Sequence, residues 1–79
     1  MNLSEAFELL SNENTQEGFI GVVTHDNTGV GFLPNENSGI AIYLYDNKEI
    51  ALVDGEVAKW QPNITDFTRN DWYVSFVRN

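Results

Sequence analysis

Seventy-nine residues suffice for one domain, and at that length only roughly 60% of the unfolded chain's surface goes inside, so the core is small. Twelve acidic against four basic residues give a net charge of −8, which repels phosphate backbones, argues against direct nucleic-acid binding, and either attracts a basic partner or keeps a small protein soluble. There is no cysteine, hence no disulfide or thiolate zinc site, and no apolar stretch nears the ~20 residues of a membrane span or follows the pattern of a signal peptide.

Asn2 or Ser4 can cap a first helix, Asn2 and Glu5 have the spacing of a capping box, and Leu3, Ala6, Phe7 and Leu10 form one apolar stripe at helical spacing. Ser11-Asn12-Glu13-Asn14-Thr15 ends this two-turn helix. From Gly18 the period changes. Phe19 to Thr24 reads as a strand, Asp26-Asn27-Thr28-Gly29 as a turn, and Val30 to Leu33 as a second strand that Pro34 to Gly39 breaks. Ile40, Ile42 and Leu44 alternate with Ala41, Tyr43 and Tyr45, the first set facing the helix and the tyrosines the other way. Asp46-Asn47-Lys48 turns into Glu49–Val53, Asp54-Gly55 signals a two-residue hairpin, and Val57–Trp60 returns. Pro62 stops that strand, Thr65 caps a helical turn near Asp66–Arg69, and Trp72 to Val77 closes the set. The fold class is α+β: a short N-terminal helix packed on a twisted antiparallel sheet of five or six strands, in one domain covering 1–79.

The chemistry-bearing residues are few. His25 beside Asp26 reads as a surface turn histidine, since no nucleophile stands by, and the acids are too dispersed for a metal site. Gly18, Gly21, Gly29 and Gly31 form no phosphate loop; glycine within a strand marks a bulge or a close backbone approach. Trp72 reads as core. For Trp60, core packing and stacking on a flat ligand are both open. Asp66 and Asp71 read as backbone-capping groups. Arg69 either meets a ligand phosphate or pairs with a neighbouring carboxylate.

The spacing W-x(5)-D-x(4)-D-W over Trp60, Asp66, Asp71 and Trp72 resembles the C-terminal signature of a family of small phage proteins, the second of the Thoeris anti-defence families. The opening Met1-Asn2-Leu3-Ser4-Glu5-Ala6 is similar to that family's helical start. The resemblance covers about half the chain. It implies a non-enzymatic sponge in the host cytoplasm, a homotetramer that holds a cyclic ADP-ribose signal between protomers uncleaved; no cofactor is expected. The ligand-binding residues implied by position are Trp60, Asn63, Thr65 and Asp66, with Asn63 where a small polar residue is usual; Arg69, the one basic residue inside the motif, joins them on its chemistry. Where the family has a basic segment after the first helix, this chain has the acidic run Asn12 to Gly18, and Phe19 stands in for the aromatic that follows. Some relatives are associated with anti-CRISPR activity, so the alternative is an acidic inhibitor docked on a basic host nuclease or CRISPR effector. On either reading the chain is expected to form a dimer or tetramer, with the Tyr43 and Tyr45 face between protomers. Trp60→Ala is expected to spare the fold, and Trp72→Ala to unfold it.

Overall fold

The first helix begins where its capping chemistry places it. In the computed structural model, which describes residues 1–13, 16–35 and 39–78, α1 spans Leu3–Asn12. The Asn2 side chain accepts from the Glu5 N–H at 2.8 Å, and the Glu5 carboxylate accepts from the Asn2 N–H at 2.9 Å. Two orphan donors of the first turn are thereby satisfied reciprocally. Leu3, Ala6 and Leu10 are buried, and Phe7 packs beside them. Of the polar run after this helix, Asn14 and Thr15 lie outside the described residues, as do Glu36, Asn37 and Ser38 of the break before the third strand.

The strands follow in chain order: β1 (Phe19–Thr24), β2 (Val30–Pro34), β3 (Ile40–Leu44), β4 (Glu49–Ile50), β5 (Leu52–Val53), β6 (Glu56–Val57) and β7 (Lys59–Trp60). A five-residue helix, α2 (Ile64–Thr68), precedes the last strand, β8 (Tyr73–Arg78). The main sheet runs β4-β3-β2-β1-β8, antiparallel throughout, and β7 also pairs with β3. This is an α+β fold.

One edge of the sheet has a form that the sequence did not suggest. Ile50 lies opposite Tyr43, the Ala51 N–H donates to the Ile42 carbonyl at 2.8 Å, and Lys59 lies opposite Ala41. So β4 and β7 are two halves of a single edge strand, and residues 52–58 are an excursion between them. Asp54 and Gly55, at φ 52° and 81°, form the expected two-residue turn. The hairpin pairs only Leu52 with Val57 and Val53 with Glu56 before its legs part onto β3. Leu52 and Val53 are 62% and 61% exposed.

The core lies between α1 and one face of the sheet, with Val23, Phe32 and Trp72 beneath Leu3, Ala6 and Leu10, and Ile40, Ile42, Trp60 and Val74 around them. Gly21 lets the helix sit down: a Cβ there would come within 2.6 Å of Leu10 Cδ1. On the opposite face Tyr43 lies across from Gly31 and is only 2% exposed. That corrects the expected tyrosine interface, because Tyr43 is already covered within one copy of the chain and only Tyr45 stays half-exposed.

Candidate functional site

Two regions hold the residues that carry chemistry. The first is the connection from β7 through α2 to β8. Asn63, not Thr65, is the cap of α2: its side chain accepts from the Asp66 N–H at 3.0 Å, and the Asp66 carboxylate accepts from the Asn63 N–H at 2.8 Å. Thr65 sits inside the helix, where its carbonyl accepts from the Thr68 hydroxyl and the Arg69 N–H. Asp66 therefore caps, as expected, and its backbone carbonyl also accepts from the Trp72 indole N–H at 2.8 Å. A ring with its one polar atom satisfied can be buried, and Trp72 is 2% exposed.

Trp60 lies against this core. Its ring stacks on Phe32 at 3.8 Å and 17° and meets Trp72 edge-on at 5.9 Å. One indole face is occupied, so a ligand has at most the other. The two tryptophans of the sequence motif touch each other, which gives their spacing a packing reason.

Asp71 does not cap a helix. Both its oxygens accept from Arg69, Nε at 2.6 Å and Nη2 at 2.7 Å, a bidentate fork that suits guanidinium and carboxylate. This bond first, then the nearby charge, holds the Asp71 carboxyl at about 2, and the same bond raises Arg69. The third guanidinium nitrogen, Nη1, lies 3.1 Å from His25 Nε2. Arginine only donates, so Nε2 accepts; the proton is then on Nδ1, 3.0 Å from the Asp26 backbone carbonyl. His25 also meets Trp72 edge-on at 4.7 Å. The Asp26 carboxylate is turned to the Tyr73 hydroxyl at 3.1 Å, so it does not orient the histidine. That hydrogen bond, together with desolvation, raises the Tyr73 hydroxyl. No local pattern announces the Arg69–His25 contact, which joins residues 44 positions apart.

The second region is at the far end of β1. Phe19 pairs with Arg78, while Thr24 at the other end pairs with Tyr73 beside Trp72. Five steps of about 3.3 Å put Phe19 roughly 17 Å from the α2 end. The structure thus gathers Trp60, Asn63, Thr65, Asp66 and Arg69 on one connection and leaves Phe19 apart. Phe19 has its own surroundings. With Phe76, Glu13 and Gln16 it lines a pocket of about 230 Å³, and the Arg78 guanidinium lies 5.3 Å from its ring centre. Glu13 and Gln16 belong to the acidic run that precedes Phe19 in the sequence reading, whereas Phe76 and Arg78 were not marked as site residues. They meet only when α1, the start of β1 and the end of β8 come together.

No family model, no curated protein and no solved structure matches the chain. Among the described residues, no helix is long and apolar enough to cross a membrane.

Proposed function

We propose that the chain is a phage anti-defence binding protein that sequesters a host nucleotide signal of the cyclic ADP-ribose type without cleaving it. The observation that carries this reading is the Phe19 pocket. Two phenylalanine rings supply apolar walls on which a base can stack, a carboxylate and a carboxamide can bond ribose hydroxyls or a base edge, and Arg78 stands beside Phe19 for a phosphate. Arg69, with all three nitrogens engaged, serves instead to fix the α2 connection to the sheet. Calorimetry of the purified protein against cyclic ADP-ribose isomers and cyclic dinucleotides tests the reading. Binding that weakens five- to a hundredfold in Phe19→Ala is expected from the loss of one stacking face. Absence of heat with every ligand at several hundred micromolar would overturn it.

A second reading, the acidic inhibitor of a host nuclease or CRISPR effector, is favoured by the excursion at 52–58. It presents Leu52 and Val53 to solvent next to Asp54 and Glu56, an apolar tip flanked by negative charge. On that reading a host protein is captured in a salt-sensitive way, and Leu52→Ser with Val53→Ser abolishes capture.

A further inference from the structure

The two edges of the main sheet are not equivalent. At β3 the edge is broken by the excursion at 52–58 and carries Glu49 and Lys59, devices that keep foreign strands from pairing. At the other edge, β8 runs six residues without proline, lysine or acid, and among the described residues no strand pairs with its outer side.

The hydrogen bonds determine which groups of β8 face outward. The Trp72 N–H donates to the Met1 carbonyl at 3.0 Å, and the Trp72 carbonyl accepts from the Met1 nitrogen at 3.3 Å. Backbone groups alternate sides along a strand, so those of Val74, Phe76 and Arg78 point outward as well. The row of residues across the sheet gives the same answer from the far side. The Ile42 carbonyl points outward to Ala51, and the row continues through Phe32 and Val23 to Val74. Hydrogen-bonded and non-bonded pairs alternate along such a row, so Val23 bonds toward Phe32 and Val74 bonds away from β1.

From this we infer that β8 pairs with β8 of a second copy of the chain, antiparallel about a two-fold axis at Phe76. Met1 closes the edge at Trp72, so among the described residues of this edge Val74, Phe76 and Arg78 are the ones left to pair. A two-fold axis at Phe76 is the register that mates all three: Phe76 with its counterpart, and Val74 with Arg78 in both directions. It forms about six backbone hydrogen bonds and joins the two sheets into one. It also sets no charge opposite a like charge. Residues 72–78 hold no acid, and the Arg78 of each copy faces a valine. Phe76, 41% exposed in one copy, is covered by its twin. Phe76 also walls the Phe19 pocket and Arg78 stands beside it, so the pairing is tested without ligand, where its failure is read separately from a failure to bind.

The experiment is sedimentation of the ligand-free full chain at 10–100 µM, with amide hydrogen exchange at two concentrations. A mass of about twice 8.9 kDa is expected, with slowed exchange at Val74, Phe76 and Arg78 that is lost on dilution. Phe76→Lys sets two ammonium groups face to face at the axis, and Phe76→Pro removes an outward N–H while sparing the bonds to β1; each should give a folded protomer of half the mass. A tetramer that falls to dimers in these variants supports the inference equally. A wild-type monomer at 100 µM, unchanged mass in both folded variants, or exchange at the three amides that ignores concentration overturns it.

Discussion

Trp72 joins most of what lies around it. Its ring meets Trp60, Phe32 and His25, its indole N–H fixes α2, and its backbone holds Met1. Trp72→Ala is expected to cost about 3–5 kcal/mol, enough to unfold a domain this small in a thermal melt. Trp60 is only half-buried, but it stacks on Phe32, so Trp60→Ala should also lower stability, by roughly 1.5–3 kcal/mol. The asymmetry read from sequence becomes a difference of degree: a proline after Trp60 marks a strand end but does not say where the ring turns. Asp71 yields a prediction in pH. Its folded value, about 2, lies below that of an unfolded carboxylate near 4. Its contribution is therefore complete above pH about 4 and is lost as pH falls toward 2. Melting temperature followed from pH 5 to 2 should decline less in Asp71→Asn than in the wild type. A parallel decline in both would mean that the Arg69 fork adds nothing.

At the scale of elements, capping was the most legible chemistry in the chain. Asn2 and Glu5 bond as their spacing indicates, and α1 turns the expected stripe inward. The strands read at Phe19 to Thr24, Ile40 to Tyr45 and Trp72 to Val77 fall within one residue of the observed Phe19–Thr24, Ile40–Leu44 and Tyr73–Arg78, because runs of five or six β-rich residues have little competition. The cap of α2 was misplaced by two residues. Asn63 and Asp66 repeat the Asn2 and Glu5 spacing, but Thr65 next to Asp66 offered a second capping side chain. Since α2 has no buried residue and Ile64 is 77% exposed, little besides the cap, the Trp72 bond and the Arg69 contacts to Asp71 and His25 holds it. Asn63→Ala, costing about 1 kcal/mol, should speed amide exchange at Asp66–Arg69 while the sheet stays protected; unchanged exchange there would mean packing holds the turn. The excursion was illegible for a different reason. Asp54-Gly55 identifies a tight turn, but a hairpin in the sheet and a hairpin leaving it have the same turn residues. Only the register against β3 distinguishes them. The Phe19 pocket was half legible: Glu13, Gln16 and Phe19 lie in one stretch, but Phe76 reaches it only because β8 pairs with β1.

The whole molecule carries a net charge of −8, and this separates two kinds of association. Two copies joined at β8 bring together two net charges of −8, so added salt, by screening the repulsion, should tighten the pair. Docking on a basic host surface should instead weaken with salt. Sedimentation and pull-down across roughly 0.05–0.5 M sodium chloride tell them apart, since the slopes have opposite sign. The excursion at 52–58 has a consequence of another kind. A sheet that can be extended at both ends is the seed of a fibre, and one that can be extended at a single end stops at two chains. Seven residues that swing out of an edge strand thus act as a chain terminator for polymerisation. Excising 52–58, joining Ala51 to Lys59 and replacing the charged Glu49 and Lys59 by threonine would leave a smooth, uncharged run opposite Leu44 to Ile40. That variant should keep its fold yet grow into filaments visible by electron microscopy, where the wild type stays finite.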